Sequence, residues 1–231
     1  MYPPLSPSDV VVTGMGVITS IAGSVPEFCQ ALKAGESRFG YLNRERNSGQ
    51  KRYLGAEIAQ FSFQDALQRW PLESLHARRC RQLRKPAYTC QVALLAMMEA
   101  WSDAGLNGEQ TERSCSVVVA GSNLQQREIQ QTQMKYRDRV EYMRPIYGLT
   151  FFDTDVVGCL SEVFGITGEG YTIGGASASG NLGIIHGVRH ILHGEADIVA
   201  VVGGLMDLSE FELQGLMSLG AMGGIRFHDR P

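Results

Sequence analysis

Three short apolar runs, each closed by glycine, most constrain what this chain can fold into. Residues 10–13 (VVVT) end at Gly14, residues 117–120 (VVVA) end at Gly121, and residues 198–204 (IVAVVGG) close on their own glycine pair. β-Branched runs without polar alternation suit strands buried on both faces. Residues 170–175 (GYTIGG) read as a further short strand and turn. Between the runs lie helical signals. Residues 25–34 carry Ser24 as N-cap, Pro26 and Glu27 in the first turn, and Gly35 just past the end. Residues 86–104 are apolar on nearly every face, which predicts a buried helix, and Gly105 stops it. Helices are also expected over 153–164, ending at Gly165, over 176–193, stopped by Gly194, and over 210–219. In the 176–193 segment Leu182, Ile185, Val188 and Leu192 recur at helical spacing and form the expected apolar stripe. Buried strands alternating with helices call for a mixed, mostly parallel sheet between helical layers, so the fold class is α/β.

Two segments break this rhythm. Residues 40–83 turn polar and basic with poor periodicity, and read as a surface excursion with short elements. Residues 125–143 are rich in Gln, Arg, Lys and Glu, and read as an exposed helix or insertion. The densest basic run is Arg78, Arg79, Arg81, Arg84 and Lys85, without the interleaved aromatics that stack on bases. It reads either as a solvated helix start or as a patch that steers an acidic partner.

A chain of 231 residues that is 44% hydrophobic buries a sizeable core, in one large domain or two small ones. Its net charge of -3 provides no global field for nucleic acid or an anionic membrane. No run approaches the ~18 apolar residues of a spanning helix. The start MYPPLSPSD carries Pro and Asp rather than a basic stretch followed by an apolar one, so a soluble, cytoplasmic protein is expected. Cys29, Cys80, Cys90, Cys115 and Cys159 are scattered, with no C-x-x-C pair. They suggest neither a disulfide framework nor a zinc site, and read as reduced thiols. Met97, Met98, Met206, Met217 and Met222 read as core filler. Phe151 and Phe152 suit an acyl tunnel or ordinary core.

The residues that carry chemistry stand at 174–180, GGASASG, between a strand and a helix. A side chain there meets unpaired amide N–H groups and the positive end of the helix dipole, which activates a nucleophile and stabilises an oxyanion. From the local pattern alone a second reading stands beside this one, in which Ser177 or Ser179 simply caps the helix. Two other motifs fail here. A nucleophile elbow needs Gly where Ser179 stands, and the dinucleotide fingerprint that begins at Gly14 and Gly16 needs Gly where Thr19 stands. His186, His190 and His193 follow Ser177 on the same helix, while His76 and His228 sit in polar segments. All five are expected to be solvated or to complement a dipole.

Several segments, in order, resemble the β-ketoacyl synthases of the thiolase fold. VVVTGMGVITSIAGS at 10–24 resembles their opening strand and loop, and AWSDAGL at 100–106 a following helix end. FGITGEGYTIGGASASGNLGIIHGVRHILHGEADIVAVVGG at 164–204 is similar to their nucleophile strand, nucleophile helix and next strand, and LGAMG at 219–223 to the segment after it. The resemblance implies that residues 1–231 are the N-terminal half of such a protein. It also places Ser177 where the family keeps its nucleophilic cysteine, in a pattern ending Ala-Cys-x-Ser-Gly. A serine hydroxyl has a far higher pKa than a thiol and is a poor acceptor of an acyl group without a base, so condensation is not expected.

GGASASGN and MDLSEFELQG at 206–215 most resemble the freestanding ketosynthase-like members of polyketide β-branching cassettes. That resemblance implies decarboxylation of malonyl-acyl carrier protein to acetyl-acyl carrier protein. It implies no bound cofactor, since the substrate rides on the carrier's phosphopantetheine. The partners it implies are the acyl carrier protein, a second copy or a complementary C-terminal half, and a hydroxymethylglutaryl-synthase-like protein; nucleic acid and membrane are not among them. The family's two catalytic histidines and Gly-Phe-Gly-Gly loop belong to the C-terminal half, so residues 1–231 alone are expected to be inactive or severely impaired. A non-catalytic subunit or scaffold, and a condensing synthase, are the alternatives.

Overall fold

The structure is a computed structural model that describes residues 6, 9–42, 53–83, 85–108 and 113–222. In chain order the elements are α1 (Val25–Ala34), β1 (Gly40–Tyr41), β2 (Leu54–Gly55), α2 (Phe63–Gln68), α3 (Leu75–Gln82), α4 (Tyr88–Asp103) and β3 (Cys115–Ala120). Then come α5 (Gln126–Lys135), α6 (Tyr147–Thr150), α7 (Thr154–Phe164), β4 (Gly170–Ile173), α8 (Ser179–Leu192), β5 (Ile198–Gly203) and α9 (Glu210–Ser218). Strands β4, β3 and β5 form a parallel sheet in that order, and β1 pairs with β2 antiparallel. Among the described residues no helix is long and apolar enough to cross a membrane.

The layers follow from which residues each element buries. All of β3 is buried, with Val117, Val118 and Val119 fully so, because it is central and helices cover both its faces. Helices α4 and α7 pack together on one face and α8 lies on the other. Helix α4 has the composition for this, rich in Ala, Leu and Met, which lose little on entering a helix. It buries Cys90, Leu94, Met97, Met98 and Trp101 against Leu160, Val163 and Phe164 of α7. Each large apolar side chain buried there contributes roughly 1.5–3 kcal/mol.

Three expectations are corrected. The first is the strand at 10–13, which does not form. The chain just after it runs beside α4, with the Met15 N–H donating to the Asp103 carboxylate at 2.9 Å. The N–H groups of Val17 and Val25 donate to the two oxygens of Glu99 at 2.9 and 2.7 Å. Val11 and Val12 point outward, 70% and 80% exposed. β-Propensity is realised only against a neighbouring strand, and among the described residues the sheet ends at β5 without one for this segment.

The second is the excursion at 40–83, which is more than surface. Leu67 of α2 and Ala77 and Cys80 of α3 enter the main core, while residues 43–52 lie outside the described residues.

The third is the stripe on α8. The residues that face the sheet are Ser179, Gly183, Gly187 and His190, not the larger apolar ones, and Ile184 and Ile185 are left exposed. Size is the reason. A Cβ at Gly183 would stand 2.9 Å from the Ala120 Cβ, and one at Gly187 2.7 Å from Val201 Cγ2, so only glycine lets the helix come this close.

Candidate active site

Strand β4 ends at Ile173, and the chain must turn sharply to start α8. Gly174 and Gly175 begin the turn, and Ala176 adopts φ of +46°, a left-handed conformation that costs an L-residue about 1–2 kcal/mol. Ala176–Ala178 then form one turn of 3-10 helix, which delays the start of α8 to Ser179. The turn is locked by Ser179, whose buried hydroxyl donates to the Ala176 carbonyl at 2.7 Å and accepts the Gly175 N–H at 2.9 Å. The local pattern had left the structural part to either serine, and it falls to Ser179.

Ser177 stands exposed at the crest of this turn, immediately before α8. The first amides of a helix have no partner within it, and its dipole puts about half a positive charge at this end. The Ala178 and Ser179 N–H groups are taken by the carbonyls of Gly175 and Ala176, so what the turn offers a group beside Ser177 is chiefly the positive end of the α8 dipole. Among the described residues no imidazole or carboxylate hydrogen-bonds to it.

The histidines lie elsewhere. Tyr171 of β4 places its hydroxyl 3.3 Å from His186 Nδ1 and 2.9 Å from His190 Nε2. Burial, and then the charges of Glu169 and Glu195, hold the Tyr171 hydroxyl above its ordinary pKa, so it stays neutral. His190, expected to be solvated or to complement a dipole, is buried in the last turn of α8 and faces Glu195 at 3.5 Å and Glu169 at 3.9 Å. Nine residues of helix rise by about 13 Å, so even His186 is remote from Ser177. His193 is exposed and pairs with Glu195 at 3.6 Å. His76 is also buried, stacked on Phe164 with ring centroids 4.8 Å apart; burial, then the charge of Arg79, lowers its pKa to about 4. His228 lies outside the described residues.

The basic run divides in two. Arg79 donates to the Val163 carbonyl at 3.2 Å, and Arg81 to the carbonyls of Leu67 and Trp70 at 2.9 and 3.3 Å, so both tie α3 to its neighbours. Arg78 and Lys85 are exposed, and Arg84 lies outside the described residues. Phe151 and Phe152 are 43% and 53% exposed, with ring centroids 3.9 Å apart, so neither is core. Met97 and Met98 are core, whereas Met206 is exposed. An open cleft of about 1020 Å³ lies between the 18–24 loop and the segment from Phe61 to Trp70, and Ser177 does not line it.

One cluster had no sequence signal strong enough to find it. Cys90 of α4 and Cys159 of α7, with Asp155, converge across the helix interface. The i, i+4 spacing of Asp155 and Cys159 was visible, but their partner lies far back in the sequence.

The sequence profile described as "Beta-ketoacyl synthase, N-terminal domain" matches residues 7–224. The polyketide biosynthesis malonyl-ACP decarboxylase PksF of Bacillus subtilis is 40% identical, over 96% of this chain and 51% of that protein. The 3-oxoacyl-[acyl-carrier-protein] synthase 1 of Haemophilus influenzae is 27% identical, over 90% of this chain and 50% of that one. Among solved structures, the ishigamide ketosynthase/chain length factor matches with a TM-score of 0.69 at 22% identity, over 92% of this chain and 51% of its own. The chain thus spans about half the length of the curated relatives it matches. The parallel sheet, the turn into α8 and the profile match agree, and the chain belongs to the β-ketoacyl synthase family, matching its N-terminal domain.

Proposed function

We propose that residues 1–231 form the Ser177-bearing half of a malonyl-acyl carrier protein decarboxylase that supplies acetyl-acyl carrier protein for polyketide β-branching. Ser177 itself carries the proposal: it is exposed on a strained turn at a helix N-terminus, and no base among the described residues reaches it. The 40% identity to a protein named as a malonyl-ACP decarboxylase supports the same reading.

The chemistry fits a site with no nucleophile. Decarboxylation breaks the bond between malonyl C2 and its free carboxylate, and carbon dioxide leaves. The electron pair moves into the thioester as an enolate, and protonation at C2 gives the acetyl group. What lowers the barrier is stabilisation of the enolate oxygen, which N–H groups and a helix dipole provide without covalent attachment. Acyl transfer to Ser177 needs an adjacent base, because a free hydroxyl is a weak nucleophile. Ser177 then acts as a small polar residue against the thioester.

In this reading the family's two histidines and glycine-rich loop complete the site from a C-terminal half, on the same or a complementary chain. The substrate arrives on the phosphopantetheine of an acidic acyl carrier protein, which the exposed Arg78 and Lys85 help to steer. A hydroxymethylglutaryl-synthase-like protein then uses the acetyl group. A second reading, a non-catalytic subunit that pairs with another chain or copy, draws on the likeness to a ketosynthase/chain length factor and on the outward Ile184 and Ile185 of α8.

The test is to incubate the purified protein, with both halves present, with malonyl-loaded carrier protein and to follow the carrier's mass. Conversion to the acetyl form, little changed by Ser177→Ala, is expected. No conversion would overturn the decarboxylase in favour of the pairing subunit. An acyl adduct on Ser177, with activity lost in Ser177→Ala, would overturn the non-nucleophilic role.

A further inference from the structure

Away from the Ser177 turn, α4, α7 and the chain before α5 bring sulfur and oxygen atoms to one point. Asp155 and Cys159 are neighbours on one face of α7, and Cys90 projects from the first turn of α4, which packs against it. The Cys90 sulfur lies 3.5 Å from Asp155 Oδ2. Ligand atoms of Cys90, Asp155 and Cys159 all lie within 4.8 Å of one another. In tetrahedral coordination, with metal–sulfur bonds of about 2.3 Å and metal–oxygen bonds of about 2.1 Å, adjacent sulfur and oxygen ligands stand about 3.6 Å apart. The Cys90–Asp155 pair has that spacing already.

The surroundings of Asp155 leave its charge uncompensated by any described cationic side chain. The half-buried Asp155 carboxylate takes hydrogen bonds from the Cys90 thiol and, at 3.2 Å, from the Gln125 side-chain amide. Among the described residues no Lys or Arg pairs with it. Gln125 is only 2% exposed, so this hydrogen bond to Asp155 is held within the packed interior. A bound cation would offset the Asp155 carboxylate and take the two sulfurs as thiolates. Asp155 and Cys159 are part-exposed, which leaves a way in from solvent.

We propose that Cys90, Asp155 and Cys159 form a binding site for one thiophilic divalent cation of the zinc type, with solvent completing its coordination. Binding forms two metal–sulfur bonds and a bond to the carboxylate, and releases the two thiol protons to solvent. It clamps α4 to α7, and so stabilises the folded state in proportion to the logarithm of free metal.

The test strips the purified protein with a chelator, keeps it reduced with a phosphine, and titrates it with Cd²⁺ and with Zn²⁺. One equivalent is expected to bind, seen by native mass spectrometry, by cadmium–thiolate absorption, and by a rise in Tm. Cys159→Ser and Asp155→Asn should each weaken binding at least about tenfold, and Cys29→Ser should leave it unchanged. If Cys90→Ser does not fold, the two part-exposed positions on α7 carry the test. No uptake, uptake equal to wild type in Cys159→Ser, or uptake that disappears in Cys29→Ser would each overturn the site. So would a Cys90–Cys159 disulfide in the isolated protein, seen as two thiols that alkylate only after reduction.

Discussion

The closeness of α8 to the sheet rests on two missing side chains, and Gly183→Ala measures it. The added methyl would stand 2.9 Å from the Ala120 Cβ and 3.0 Å from Val201 Cγ1. Carbon atoms prefer about 3.5–4.0 Å, so the overlap is about 0.5–1 Å on each. Ala120 belongs to the central strand and is 5% exposed, so it has nowhere to retreat and the helix must lift. Overpacking of this kind costs about 1–3 kcal/mol, against about 1 kcal/mol gained by replacing glycine with alanine in a helix. Gly215→Ala in α9 is the control, because a Cβ there meets nothing within 4 Å and only the gain applies. The two variants should therefore differ by about 2 kcal/mol, with Gly215→Ala the more stable. Urea unfolding followed by circular dichroism measures this. With a slope of about 2 kcal/mol/M, the midpoints should separate by about 1 M. Equal midpoints would refute close approach as the reason for glycine at 183.

Ser179→Ala removes both hydrogen bonds that lock the turn and should cost about 1–2 kcal/mol, whereas the exposed Ser177→Ala should stay within about 0.5 kcal/mol of wild type; equal losses would contradict the division between the two serines. For His76, the folded pKa of about 4 lies below the usual value of 6.5, so the unfolded chain binds the extra proton between the two. Stability from this group is present above pH 6.5 and is lost as pH falls towards 4, by on the order of 3 kcal/mol. His76→Phe should flatten the stability profile between those two pH values, measured by urea midpoints across the range, and an unchanged slope would refute it.

Most helices were legible because their signals are local. Ser24 and Gly35 bound α1 as read, and Gly105 and Gly165 end the helical stretches they were expected to end. The site region was legible as a turn into a helix, but which serine shapes it was not, since both are small, polar and two residues apart. The strand at 10–13 failed for the opposite reason: three valines state a preference that only a neighbour can satisfy. Periodicity misjudged α8 because it ranks faces by hydrophobicity, while the sheet selected for smallness at Gly183 and Gly187. His76 and the Cys90–Asp155–Cys159 cluster were hidden for a third reason. Their surroundings are assembled from helices distant in sequence, so no window over the chain contains them.

The hydroxyl that locks the turn is two residues away from the one at its crest, and this has a consequence for how such a site can change. Among the described residues the Ser177 side chain makes no hydrogen bond to the turn, so a cysteine there should fit the same backbone. Their codons are neighbours, and a change between them alters the chemistry presented to a thioester while leaving foldability almost untouched. If Ser177 is the reacting position proposed above, one reaction could be exchanged for another there in a single mutational step, with the Ser179 bonds that hold the turn left in place.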